Sequence, residues 1–304
     1  MKQYPVATVQ IPNGETIAYR ECGDGGRTML LLHGNMSSSV HWQTTMEALE
    51  PHCRVIAPDL RGFGDSSYNN RFDSLRELAQ DVAAFLELLG VSRCAVVGWS
   101  TGGGIAMELA ADHPDLVCKV ILLDSVPLTG YPIYRKDEGG KPILTELLRT
   151  KEDIANDPVQ VLPALSAFAT GNRALMRAIW DATIYNLNQP SEDDYEAYLT
   201  AILQQRNLVD IDYALLTFNI SHRENGVCAG NGRMDSIHCP IYILQGEKDM
   251  VVPTAWAEQM KADFGDRAQY ITFVKAGHSV ITDDPPLFFT TLKGIMGING
   301  QAKC

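Results

Sequence analysis

Four polar residues in this sequence each stand just beyond a short apolar run. Asn35 follows Met29-Leu30-Leu31-Leu32 and Ser100 follows Ala95-Val96-Val97. Asp249 follows Ile241-Tyr242-Ile243-Leu244, and His278 follows Tyr270-Ile271-Thr272-Phe273-Val274. A serine hydroxyl is a weak nucleophile until a base takes its proton, and the imidazole that does so needs a carboxylate to hold its tautomer. Ser100, Asp249 and His278 supply those three groups. Ser100 also sits in Gly98-Trp99-Ser100-Thr101-Gly102, where an apolar run enters and a helical pattern leaves from Ile105. That is the pattern of a sharp strand-to-helix turn with its hydroxyl pushed outward. Glycines on either side give the room that a crossing of strand and helix requires.

The elements that must hold these groups alternate regularly. Two short strands, 6–11 and 16–20, flank an Asn13-Gly14 turn. Apolar runs at 29–32, 55–57, 95–97 and 120–123 carry no polar alternation, as expected of strands covered on both faces of a parallel sheet. Helical patterns fall between them. One opens at Ser37-Ser38-Ser39 and reaches about Leu49. Another begins at a Ser74/Glu77 capping box and buries Leu75, Leu78, Val82, Phe85, Leu86 and Leu89 before Gly90. A third follows Ser100 to about Asp112. Strand and helix resume at 241–244, with a helix through Trp256, Met260 and Phe264, a last strand at 270–274, and a terminal helix from Asp283-Asp284-Pro285-Pro286. In an open parallel sheet, ligands bind at the carboxyl ends of the strands, where Asn35, Ser100, Asp249 and His278 fall.

Between Pro127 and Ser236 the rhythm breaks and only helical patterns are apparent. The clearest has a cap at Ser191 and an apolar face of Tyr195, Tyr198, Leu199, Ile202 and Leu203. The expected organisation is therefore an α/β core from 1–126 and 237–304, interrupted by an all-helical insertion at 127–236.

Composition narrows the function. A formal net charge of −12 disfavours nucleic acid and anionic membrane surfaces. No apolar run approaches the roughly 20 residues of a membrane span, and residues 1–5 do not resemble a secretory leader. The seven cysteines are scattered without a Cys-x-x-Cys pair and read as reduced thiols of a cytoplasmic protein. Metal-binding, Walker and Gly-x-Gly-x-x-Gly patterns are absent, so no metal and no organic cofactor are expected.

Together His33-Gly34-Asn35, the 59–67 loop, Gly98-Trp99-Ser100-Thr101-Gly102, Gly246-Glu247-Lys248-Asp249 and Gly277-His278-Ser279 resemble the α/β-hydrolases with a helical cap, over about 7–296. The resemblance implies a mostly parallel eight-stranded sheet flanked by helices. It also implies Ser100 as nucleophile, His278 as general base and acid, Asp249 as the orienting carboxylate, and the backbone N–H groups of Asn35 and Thr101 as the oxyanion hole. A serine at the elbow sets the chain apart from the aspartate-dependent haloalkane dehalogenases and epoxide hydrolases. A narrower set of stretches, Gly130-Tyr131-Pro132-Ile133, Gln205-Arg206-Asn207 and Asn219-Ile220-Ser221, is similar to intracellular poly(3-hydroxybutyrate) depolymerase-like hydrolases. It implies esters of 3-hydroxy acids, small or oligomeric, as substrates.

Several positions carry competing readings. Asp124 also follows a buried strand and rivals Asp249 as the acid. His33 is expected to brace the oxyanion loop, and the Arg61–Ser67 stretch to form a rigid turn. Trp99 is a pocket candidate or a core residue. The aromatics Trp180, Tyr185, Tyr195 and Tyr198 are expected in the core of the insertion. The sequence thus points to a serine hydrolase of carboxylic esters working through an acyl-enzyme. Lactone or C–C bond hydrolysis on the same triad is the nearest alternative, and a small-ligand receptor on the same fold is the alternative of another class.

Overall fold

The computed structural model describes residues 1–298; Cys304 lies outside them. Its strands, in chain order, are β1 (Val6–Gln10), β2 (Thr16–Cys22), β3 (Thr28–Leu32), β4 (Arg54–Pro58), β5 (Cys94–Trp99), β6 (Val117–Leu123), β7 (Tyr134–Lys136), β8 (Pro142–Leu147), β9 (Ile241–Gly246) and β10 (Ala268–Phe273). Eight of them form one sheet in the order β1-β2-β4-β3-β5-β6-β9-β10. The β1/β2 and β2/β4 pairs are antiparallel and the remaining pairs parallel.

The central strands are apolar throughout because both faces are covered. Leu30 and Leu32 of β3 belong to one buried cluster with residues of the helices Leu75–Leu88, Thr101–Asp112 and Thr254–Phe264, which cover that face of the sheet. Met29 and Leu31 pack on the other face with the helices Gln43–Leu49 and Pro285–Met296. All four side chains are fully buried, each contributing roughly 1.5–3 kcal/mol. Local signals place the helix starts. Ser74 accepts from the backbone N–H of Glu77, while the Glu77 carboxylate accepts from the N–H of Asp73 at 2.9 Å.

The order of strands locates the crevice. From β3 the chain passes to β4 on one side, and β5 then pairs with β3 on the other. The loops after β3 and β5 therefore diverge and leave a gap at their carboxyl ends.

Residues 127–236 hold the helices Lys151–Ala155, Leu162–Thr170, Arg173–Thr183, Glu192–Ile202 and Leu208–Thr217. The segment is not all-helical, contrary to the sequence-based expectation. The antiparallel pair β7/β8 lies within it, joined through a turn at Asp137, whose N–H donates to Lys141 O at 2.9 Å. Its strands escape a search for apolar runs because they face solvent: Leu144 is 71% exposed. Among the described residues, no helix is long and apolar enough to cross a membrane.

Candidate active site

The chain turns sharply at Ser100, which has φ 54° and ψ −118° and stands directly before the helix Thr101–Asp112. Positive φ is costly for a residue with a Cβ and persists only where its surroundings enforce it. Here the enforcement is close packing of backbone. A Cβ on Gly98 would lie 2.3 Å from the carbonyl oxygen of Gly102, and one on Gly102 would lie 2.3 Å from that of Leu32. The two glycines of the pentad thus let β5, its helix and the end of β3 meet.

His278 and Asp249 come together from the loops after β10 and β9. His278 Nδ1 lies 2.8 Å from Asp249 Oδ2, with both side chains buried. The carboxylate is itself held. Its Oδ1 accepts from the N–H groups of Val251 at 2.7 Å and Val252 at 2.8 Å, and its Oδ2 accepts from Gln245 Nε2 at 3.2 Å. This leaves Nε2 of the imidazole free for other work. Asp124, the rival acid, is not on the histidine. Its Oδ1 accepts from the N–H of Gly246 at 2.8 Å, below the loop that carries Asp249. Burial, and then the nearby charge of Asp249, push the Asp124 carboxyl well above the usual range, which favours its neutral form.

Trp99 is both core and wall. It is buried and lines the cavity beside Ser100, and its indole N–H donates to the backbone carbonyl of His278 at 2.8 Å. Asn35 and Thr101 line the same cavity as Ser100 and His278. Among the described residues, neither of their backbone N–H groups donates to a protein acceptor. For Thr101 this follows from its place in the first turn of a helix.

The loop bearing Asn35 is braced from beneath. His33 Nε2 accepts from the N–H of Leu60 at 3.0 Å and its Nδ1 faces Gly34 O at 2.8 Å, so the ring is neutral with the proton on Nδ1. Burial lowers its pKa further. The 61–67 stretch is the rigid turn anticipated. Arg61 forms a buried two-pronged pair with Asp81 at 2.6 and 2.7 Å, and Asp59 accepts from the N–H groups of Ser39 and Asp65.

The cavity over Ser100 has a volume of about 430 Å³. Its walls are mainly apolar, with Tyr131, Ile133, Ile179, Trp180 and Leu215 contributed by the segment 127–236. Trp180 reaches this wall, whereas Tyr198 stacks on His41 with ring centroids 4.4 Å apart and Tyr185 packs on Tyr195 at 5.1 Å. Tyr185 and Tyr195 thus serve the core of the segment, as expected, while Tyr198 packs the segment against the α/β core.

The alpha/beta hydrolase fold family model matches residues 27–285. The chain belongs to the alpha/beta-hydrolase family. A soluble epoxide hydrolase from a Corynebacterium species is 37% identical over 115 residues, which span 38% of this hydrolase and 40% of that protein. A pimeloyl-[acyl-carrier protein] methyl ester esterase from Vibrio vulnificus is 24% identical over 90% of this chain and 95% of its own. The solved structure of an esterase from Exiguobacterium antarcticum superposes with a TM-score of 0.73 at 19% identity, over 96% of this chain and 99% of that one.

Two features of the hydrolase escaped the sequence. Residues 205–207, read there for substrate class, fasten the segment to the core. Gln205 Nε2 donates to Asn35 Oδ1 at 2.8 Å, the N–H of Arg206 to Gly62 O at 2.9 Å, and Asn207 Nδ2 to Arg61 O at 2.6 Å. The other is Asp212, which lines the cavity and accepts from Asn35 Nδ2 at 2.9 Å. Its signal was present: on the helix Leu208–Thr217 it shares a face with Leu208, Leu215 and Leu216, an acid on an apolar stripe.

Proposed function

We propose that the protein hydrolyses carboxylic esters through an acyl-enzyme on Ser100. The observation that carries this reading is the His278–Asp249 pair, 2.8 Å apart and buried, on the same cavity as the elbow serine. His278 takes the Ser100 proton as the hydroxyl oxygen attacks the carbonyl carbon. Asp249 keeps the imidazole in the Nδ1–H tautomer and stabilises the imidazolium that forms. The N–H groups of Asn35 and Thr101 receive the oxyanion, each contributing on the order of 100- to 1000-fold. The tetrahedral adduct collapses as His278 returns the proton to the leaving alcohol. A water deprotonated by His278 then attacks the acyl-serine, and collapse of the second adduct restores Ser100 and releases the acid.

The segment 127–236 acts as a cap that shapes the pocket. At roughly 30 Å³ per water-sized group, a cavity of about 430 Å³ takes a small ester or one terminal unit of an oligo(3-hydroxyalkanoate) better than a length of polymer. Esterase activity in the Vibrio vulnificus and Exiguobacterium antarcticum proteins supports the reaction class. The six free cysteines among the described residues favour a reducing compartment, in line with a cytoplasmic enzyme.

A fluorophosphonate probe tests the nucleophile directly. After incubation and digestion, the adduct should map by mass spectrometry to the peptide containing Ser100, in proportion to lost p-nitrophenyl ester turnover. Adduct on another residue, or full turnover after complete labelling, contradicts the reading.

A further inference from the structure

Asp212 has no role in the mechanism above, yet it is the only carboxylic acid among the described residues that line the cavity. It enters from the helix Leu208–Thr217, and its Oδ1 accepts from Asn35 Nδ2 at 2.9 Å. Both acceptor positions of the Asn35 amide oxygen are taken, by the N–H of Met36 at 2.9 Å and by Gln205 Nε2 at 2.8 Å. Asn35 cannot swing away to serve another group, so it holds Asp212 in register. The second carboxyl oxygen of Asp212 is left to the cavity. Asn35, whose backbone N–H is proposed to receive the oxyanion, lines the same cavity, so Asp212 stands one side chain from that proposed position.

We propose that Asp212 is a specificity-determining residue that hydrogen-bonds a hydroxyl carried by the substrate within a few bonds of the scissile carbonyl. The assignment rests on the reading of Ser100 as the nucleophile. The cavity that Asp212 lines is otherwise mainly apolar, with Ile133, Leu215 and the ring of Tyr131 among its walls, so a substrate without a polar atom there would leave the second carboxyl oxygen without a partner. Burial raises its pKa to about 7, so both protonation states are populated near neutrality. The acid offers an O–H and the carboxylate an acceptor. A hydroxyl partners either state, whereas an ammonium requires the carboxylate and a carbonyl requires the acid.

The hydroxyl could belong to the acyl or the alcohol half, and the test separates them. kcat/KM is measured in a pH-stat for ethyl butyrate, ethyl 3-hydroxybutyrate and 2-hydroxyethyl butyrate, with wild type, Asp212→Ala and Asp212→Asn. The wild type should favour one hydroxylated ester over ethyl butyrate by at least about tenfold, the top of the range for one neutral hydrogen bond and the bottom of that for one to a charged group. Asp212→Ala should abolish that ratio, mainly through KM, with kcat/KM for the preferred hydroxylated ester falling by at least about tenfold more than that for ethyl butyrate. Asp212→Asn still accepts from Asn35 and presents an N–H to the cavity, so it should restore part of the preference. A purely structural role would lower all three esters together and leave the ratio intact, which overturns the proposal. So would a wild type indifferent to both hydroxyls. Turnover of none of the three by wild type would instead overturn the reading of Ser100, and the Asp212 assignment with it.

Discussion

The indole N–H of Trp99 donates to the backbone carbonyl of His278 at 2.8 Å, tying the residue before the elbow serine to the main chain of the proposed base. Trp99→Phe keeps most of the ring packing and removes this bond. Loss of one such bond costs about 0.5–1.5 kcal/mol. If that cost falls on the placement of His278, kcat on p-nitrophenyl butyrate should fall roughly 2- to 10-fold with KM nearly constant. A raised KM at constant kcat would make Trp99 a contact for substrate and nothing more.

The two acids near the ends of β6 and β9 should respond oppositely to amide substitution. Asp249→Asn removes the acceptor that fixes the Nδ1–H tautomer, and kcat should fall by about 10³- to 10⁴-fold. Asp124 is driven toward its neutral form by burial and by Asp249, and its Oδ1 accepts from Gly246. An amide reproduces that arrangement, so Asp124→Asn should keep kcat within a few-fold. The reverse result would move the acid of the triad to Asp124.

Asp210 and Asp212, two residues apart on one helix, should give opposite pH dependence of stability. Burial opposes the charge of Asp210, but bonds from Arg71, Lys151 and Tyr68 outweigh it and lower its pKa from 3.8 to about 2. Its stabilisation is present above pH 4 and lost as pH falls through 2. Asp210→Asn should therefore destabilise at pH 7, by roughly 1–2 kcal/mol, and converge with wild type near pH 2. Asp212 is raised from 3.8 to about 7. Between pH 4 and 7 the unfolded chain ionises this group and the folded one resists, so the native state loses stability as pH rises. Asp212→Asn avoids that loss and should exceed wild type by roughly 2 kcal/mol at pH 8, with the gap closing by pH 4. Urea denaturation across this range measures both. Parallel curves for Asp212→Asn and wild type would show that its carboxyl is not perturbed.

Gly102 admits no side chain, because its Cβ would meet the carbonyl oxygens of Leu32 and His33 at 2.3 and 2.7 Å. Gly102→Ala must push β3 away from the elbow helix, at a cost of about 1–3 kcal/mol. It should also lower kcat, since Thr101 opens the elbow helix and Asn35 lies in the loop that continues β3. Unchanged stability by urea denaturation would mean that the elbow has more slack than these contacts allow.

The core was legible in the sequence because its signals are local. Unbroken runs such as 29–32 need only a count of apolar residues, and the Ser74 and Ser191 caps stand beside the turns they close. Ser100, Asp249 and His278 could be singled out as candidates because each follows such a run. What failed was whatever lacks an apolar run or depends on contacts distant in sequence. The β7/β8 pair is held by its own ladder at the surface, with no apolar run to announce it. The tie from Gln205 to Asn35 spans 170 positions, and that from Trp99 to His278 spans 179. The opposite environments of Asp210 and Asp212 arise from which neighbours the folded helix meets, which two acids flanking Ile211 do not disclose.

Turnover of p-nitrophenyl butyrate by Ser100→Ala, with the fold checked by circular dichroism, tests the proposed chemistry most directly. With nucleophilic attack removed, kcat should fall by at least about 10³-fold while the spectrum matches wild type. Turnover at the wild-type rate by a folded Ser100→Ala protein would show that ester cleavage does not pass through this serine.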